Sequence, residues 1–289
     1  MKGHTVNMGN IHGTDMIDLH IHSYYSDGTM SPRELVKEAK KAGLRAISLT
    51  DHDTTEGLDE FMDSGREYGI ETIPGIELSV TSVGETHILG YCMDYRQAEF
   101  EDVIKRLKKT RMENNVRTQD ALKAIGIDVT VEEAGKKSPA GSIGRAHFAS
   151  VMVDKGYAHT VKEAFDKYLR KGGPAYNSLK LLTPEEALGA IKKAGGKAYL
   201  AHLHLTNMKG KELEEYIIRL KKWGLDGIEG YYTEYTPEMQ EEYRLLAEKY
   251  DLKISGGSDF HGGNRRGVEM GYGYGDLKIP YTLVEDMRN

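Results

Sequence analysis

The sequence predicts an α/β barrel of seven strands, distorted at one connection and carrying a small, mainly helical inserted domain. Three observations predict it. Short apolar runs alternate with capped, amphipathic helical stretches along most of the 289 residues. One stretch, from Gln97 to about Gly173, breaks that alternation and reads as helix throughout. Histidines and carboxylates recur at the C-terminal ends of the apolar runs, the face on which barrels carry their functional groups.

The elements follow in order. Residues 1–15 form a loose leader with no apolar h-region, so they are not a secretory signal; His4 and His12 lie there and take no role. MIDLHIH (16–22) is the first strand. Ser31-Pro32-Arg33-Glu34 is a capping box with Pro at the first helical position, and Gly43 ends that helix. AISLTDH (46–52) is the second strand, and a helix over about 55–68 leads to ETIPGIELSV (71–80). GETHILGYC (84–92) follows too closely for a helical crossover, so these two strands should be antiparallel. The insertion, 97–173, spans roughly 75 residues, ordinary for a small domain. It is rich in Lys, Arg and Glu at helical spacing, with a second capping box at Thr160–Glu163.

Alternation then resumes. Thr183-Pro184-Glu185-Glu186 caps a helix ending near Gly195, and KAYLAHLH (197–204) is a strand. Helices over about 210–223 and 237–250 flank DGIEGYY (226–232), and LKISGGSDFH (252–261) is the last strand. The barrel is therefore expected over 16–96 and 174–289.

The formal charge of −6 argues against a protein that coats nucleic acid or a membrane surface. Cys92 is the only cysteine, which excludes a disulfide within the chain. No apolar stretch approaches the ~20 residues that span a bilayer. A cytoplasmic location is the expectation.

The unusual residues cluster by position. His20, His22 and Asp27 follow the first strand, Asp51 and His52 the second, and Glu77 lies on the third. His87 lies on the fourth, His202 on the fifth, and Asp259 and His261 follow the seventh. Taken singly, most have ordinary explanations. A lone imidazole on an apolar strand is more often a hydrogen-bonded core residue, Asp27-Gly28 makes a turn, and Asp51 or Asp53 could cap a helix. Glu77 is harder to dismiss, because a carboxylate inside an apolar strand is costly without a partner. Together, these groups would repel or desolvate one another at one barrel mouth unless cations stood among them.

The pieces DLHIHSYYSDG, LTDHDT, GIELS, the His of ETHILGY, and GGSDFHG closely resemble the PHP family, named for polymerase and histidinol phosphatase. The likeness runs from Met16 to the end, and GSIGRAHFA and FDKYLRKGGPAY resemble its stand-alone phosphoesterase branch. The resemblance implies a distorted (β/α)7 barrel with two to three divalent ions, Mn, Fe or Zn. It assigns His20, His22, Glu77 and Asp259 to a first ion, with Glu77 bridging to a second held by His87 and His202. Asp27, His52 and His261 would hold a third, and Asp18 and Asp51 would orient imidazoles. It also implies hydrolysis of small phosphate esters, most of all nucleoside monophosphates or 3′,5′-bisphosphates, by a metal-activated hydroxide. One departure stands out: the family commonly has His-Pro after the fifth strand, whereas this chain has His202-Leu203. His204 is then an extra imidazole, with a structural role expected.

Arg145 and His147 add a second line. Ser142 reads as an N-cap, which puts both in the first turns of a helix, where cations oppose the macrodipole. A phosphate there would reconcile them. Lys180, Arg265 and Arg266 are further candidates on nearby loops. The expected partner is a small phosphorylated molecule, with no membrane and no stable nucleic-acid partner. Other readings are a cyclic-phosphate diesterase, an oligonucleotide-end exonuclease, an amidohydrolase-type C–N hydrolase or a non-catalytic metal-stabilised module. The C–N hydrolase is disfavoured, because that class usually bridges two metals with a strand-borne Lys and the ligand strands offer none.

Overall fold

The computed structural model describes residues 15–138, 143–170, 172–177 and 181–289. Seven strands form one sheet in sequence order: β1 (Ile17–Ile21), β2 (Ala46–Leu49), β3 (Glu71–Ser79), β4 (His87–Tyr91), β5 (Lys197–Leu200), β6 (Gly227–Tyr232) and β7 (Lys253–Gly257). The pairs β1–β2, β2–β3, β5–β6 and β6–β7 are parallel, while β4 runs antiparallel to both β3 and β5. The short link after β3 thus reverses one strand, as its length requires.

The sheet closes at its upper rim. Ile21 bridges to Phe260, and the His22 N–H donates to the Phe260 carbonyl at 2.9 Å. The backbones come so close that a side chain at Gly257 would overlap the Cβ of His20. Only glycine fits that crossing.

Helices surround the sheet: α1 (Pro32–Lys41), α2 (Leu58–Tyr68), α7 (Pro184–Lys193), α8 (Gly210–Lys222), α9 (Pro237–Lys249) and α10 (Thr282–Arg288). Ser31 and Thr183 make the expected capping boxes, each hydroxyl accepting from the backbone N–H three residues on. The stretch expected to form an insertion contains α3 (Ala98–Ala124), α4 (Val131–Lys136), α5 (Arg145–Asp154) and α6 (Val161–Ala164), the last running into a π turn over Phe165–Leu169. Thr160 caps α6, but Glu163 reaches back to the His159 N–H, so the box expected there is incomplete.

Among the described residues, apolar side chains gather in three clusters. The largest joins the sheet to its helices and includes Phe100, Ile104 and Leu107 of α3. A second, around Leu19, Leu89, Tyr91 and Tyr199, is closed by Leu283, Val284 and Met287 of α10. The third, with Leu122, Phe148, Met152 and Leu169, belongs to the insertion. The 27-residue α3, roughly 40 Å long, therefore roots one half in the barrel and the other in the insertion.

Candidate metal centre

Glu77 is the centre of the site. It is fully buried on β3. Its Oε2 lies 3.2 Å from each of three imidazole nitrogens, His20 Nε2, His22 Nε2 and His52 Nδ1. Its Oε1 lies 2.7 Å from His87 Nδ1 and 2.9 Å from His202 Nε2. Strand geometry explains the convergence. His87 is the first residue of β4, not its last, yet it pairs with Ser79 at the end of β3 because β4 is reversed. A rule that counts only C-terminal strand ends is therefore corrected at this one strand.

Two more carboxylates complete the rim. Asp259 Oδ1 stands 3.1 Å from His22 Nε2 and 3.4 Å from His20 Nε2. Asp27 Oδ1 stands 3.2 Å from His261 Nε2 and 3.7 Å from His22 Nδ1, and its Oδ2 stands 3.8 Å from His52 Nε2. Among the described residues, three groupings bring candidate ligand atoms within 4.8 Å of one another: His20, His22, Glu77 and Asp259; His22, Asp27, His52 and His261; and His52, Glu77 and His87. The first matches the set assigned to one ion. The second adds His22 to Asp27, His52 and His261. In the third, His52 stands beside Glu77 and His87, while His202 Nε2 approaches the same place, 3.2 Å from His87 Nδ1.

These residues fit divalent cations. Ligand atoms ~2.1 Å from a shared ion lie roughly 3–3.5 Å apart, the spacing seen around Glu77 and Asp259. His22 Nε2 and His52 Nδ1, both facing Glu77, are buried with no hydrogen-bond partner, which is costly for an imidazole that holds no ion. The electrostatics agree. Burial pushes the Glu77, Asp259 and Asp27 carboxyls up, but the surrounding imidazoles overcome it and hold all three well below the usual carboxylate range. Burial pushes His22 down, yet Asp259 and Glu77 carry it up to about 10. Burial prevails at His52, pushed down to about 4. The rim is a place that demands positive charge.

The supporting groups differ from expectation. Asp18 touches no imidazole ring. Its carboxylate accepts from Ser258 (N–H and hydroxyl), from the Gly271 N–H at 2.7 Å and from the His20 N–H at 3.2 Å. It thus ties β1 to the turn before Asp259, and burial raises its carboxyl to about 6. Asp51 also reaches no ring. It accepts from the Ser23 and Ser26 hydroxyls at 2.6 Å, and Ser26 Oγ lies 3.4 Å from His22 Nδ1. The role expected of Asp18 and Asp51 is filled directly by Glu229, which the sequence reading passed over. Fully buried on β6, Glu229 sits 2.9 Å from His20 Nδ1 and accepts the His202 N–H at 2.7 Å. Its signal was the one that marked Glu77, an acid inside an apolar strand.

Asp259 is further fixed by the Tyr232 hydroxyl at 2.8 Å and by Arg265, whose guanidinium pairs with its Oδ2 and with Glu234 at 2.7 Å. Arg265 therefore serves the Asp259 carboxylate here; Arg266 is exposed, and Lys180 lies outside the described residues. His204 sits against the Tyr232 and Tyr235 rings, 3.3 Å from Glu234, away from the metal groupings. Leu203 uses the N–H that a proline would lack, donating to the Tyr235 hydroxyl at 2.7 Å.

In the insertion, α5 begins after Gly144, which replaces the expected Ser142 cap; Ser142 lies outside the described residues. Arg145 turns inward, donating to the Leu169 carbonyl at 3.2 Å with its guanidinium 5.5 Å from the Tyr176 ring centre. His147 accepts the Gly144 N–H at 3.0 Å through Nδ1. Burial pushes its pKa down, and the first charge opposing that is the carboxylate of Asp27. The two residues expected to read phosphate together thus make separate contacts, Arg145 to the Leu169 carbonyl and His147 to the start of its own helix.

The comparisons with known proteins agree with this geometry. The sequence model of the PHP domain matches residues 18–176, and the chain belongs to the PHP family. It is 35% identical over 249 residues to a 5′-3′ exoribonuclease of Haemophilus influenzae, covering 86% of this chain and 90% of that one. It is 33% identical over 259 residues to a 3′,5′-nucleoside bisphosphate phosphatase of Chromobacterium violaceum, covering 89% and 90%. A crystal structure described as a metal-dependent phosphoesterase, from Bifidobacterium adolescentis, superposes with a TM-score of 0.83 at 26% identity, covering 94% of each chain. These relatives are hydrolases of phosphate ester bonds. Among the described residues, no helix is long and apolar enough to cross a membrane.

Proposed function

We propose that this protein is a metal-dependent phosphoesterase that hydrolyses small phosphorylated nucleotides, nucleoside monophosphates or 3′,5′-bisphosphates. The observation that carries the reading is the convergence of five imidazoles on the buried carboxylate of Glu77. In this proposal His20, His22, Glu77 and Asp259 hold one ion, and Glu77, His87 and His202 a second. Asp27, His52 and His261 hold a third. Bound there, Mn, Fe or Zn ions would polarise phosphoryl oxygens and make water acidic enough to supply a nucleophile near neutral pH. The chain's own part is to hold those ligands in place. Glu229 fixes the His20 ring, and Tyr232 and Arg265 fix Asp259. The insertion, residues 97–173, presents His147 to the rim and reads the substrate. Its phosphate would meet the first turn of α5, where the helix dipole favours an anion.

A second reading, removal of nucleotides from an oligonucleotide end, is supported by the name of the Haemophilus influenzae relative. One screen separates the two. Purified protein of measured metal content is offered mononucleotides, 3′,5′-bisphosphates, cyclic phosphates, sugar phosphates and short RNA. We expect metal-dependent phosphate release, fastest from the bisphosphates. Preferential shortening of RNA would favour the second reading, and a metal-loaded protein that cleaves no ester would overturn both. His52→Ala and Asp259→Ala should each cut release by about a thousandfold or more while leaving the circular dichroism spectrum native.

A further inference from the structure

We propose that Arg111 is a positioning residue: it fixes the span between the metal rim and the first turn of α5, and so favours substrates long enough to touch both. The inference rests on the phosphoesterase reading and adds to it a determinant of substrate size.

Arg111 lies where α3 passes the barrel mouth, one turn beyond Leu107 in the barrel core and well before Leu122 in the insertion core. Its guanidinium pairs with Asp53, whose side chain is only 4% exposed, against 22% for Arg111. Asp53 is anchored to the metal strand twice. Its N–H donates to the Glu77 carbonyl at 2.9 Å, and its other carboxylate oxygen accepts the Ser79 N–H at 2.9 Å. It also follows His52 directly and holds a left-handed φ of 54°, which a non-glycine residue adopts only when its surroundings insist.

On its other side Arg111 reaches the insertion. Nη1 lies 3.9 Å from where a side chain on Gly144 would begin. One turn further along α3, the Asn115 side-chain amide donates to the Ile143 carbonyl at 3.0 Å. The helix therefore grips the residues that lead into α5, and His147 follows in its first turn. Glu77, Asp53 and Arg111 are bonded in series, and Gly144, bonded to His147, lies beside the Arg111 guanidinium, so the series runs from metal rim to substrate-reading turn. Lys108–Glu56 also joins α3 to the loop after β2, but both partners are exposed, and such pairs fix little.

A small ester such as p-nitrophenyl phosphate needs only the rim, whereas a nucleoside 3′,5′-bisphosphate spans rim and turn. The test compares kcat/KM for these two esters in the Mn2+-loaded full-length protein. The variants are Arg111→Met, Arg111→Lys and the pair Arg111→Met with Asp53→Asn. Removing Arg111 alone leaves a buried carboxylate unpaired and lowers Tm; the double variant removes both charges and recovers it. We expect the bisphosphate-to-phenyl-ester ratio to fall about tenfold in both Met variants, mostly through KM for the bisphosphate. Arg111→Lys should return within about threefold of wild type, because the charge remains although the planar fork is lost. A folded double variant with the wild-type ratio, or with both esters reduced in proportion, would overturn the inference while leaving the phosphoesterase reading intact. A wild-type protein that cleaves neither ester would overturn both.

Discussion

At the scale of single residues, the site is a problem in satisfying Glu77. A carboxylate has about four lone-pair positions. Five imidazoles crowd it, and one of them, His20, has its second nitrogen committed to Glu229. That commitment makes Glu229 a lever on the metal. Glu229→Gln should weaken Mn2+ binding about 10–100-fold by titration calorimetry, with the fold retained. Undiminished affinity would show that His20 is oriented by something else. Protons compete for the same nitrogens. The His22 pKa lies above its ordinary 6.5, at about 10, so the free rim binds a proton throughout the neutral range and must release it to take a cation. Mn2+ affinity should therefore rise between pH 6 and pH 8, and an affinity that is flat or falls over that interval would contradict the assigned ligands. His20, Glu77 and Asp259 were legible in the sequence because each is out of character for an apolar strand or its tip. Arg111 was not. It stands in LKKTR among look-alike cations, and only the fold says which of them meets Asp53.

At the scale of elements, helix starts were the most legible feature, since Ser31 and Thr183 announce their caps through local chemistry alone. Strand ends were less so. AISLTDH and KAYLAHLH read as continuous strands, but their ladders stop at Leu49 and Leu200. Beyond Leu49 only an isolated bridge between His52 and Glu77 continues the pairing, and beyond Leu200 His202 reaches a φ of 22°, outside any strand. Hydrophobic pattern cannot register that departure, because a buried ligand loop is as apolar and enclosed as a strand. The contact between β1 and β7 is similar. Nothing local in SGGSD says that its second glycine lies against His20. Gly257→Ala should cost about 3 kcal/mol or more, read from urea unfolding, because neither backbone can retreat without opening the closure. A loss below 1 kcal/mol would mean that the rim yields more easily than its hydrogen bonds suggest.

At the scale of the whole molecule, α3 contributes Phe100, Ile104 and Leu107 to the apolar cluster of the sheet and Leu122 to a separate one. What the sequence hid was how they are joined, since α3 gives no local sign of where one core ends and the other begins. Cations that bind only the folded chain must stabilise it. Adding Mn2+ should raise Tm progressively with concentration, and a chelator should reverse this; Asp259→Ala should blunt the response. A Tm indifferent to Mn2+ would deny the centre any part in holding the fold. The closure has a consequence for biosynthesis. Asp18 and Ser258 bond across 240 residues, and the assigned ligands of the first ion come from the first strand and from just beyond the last. A nascent chain on the ribosome therefore carries its early histidines unassembled until the segment beyond β7 has emerged, and the first grouping cannot form before then.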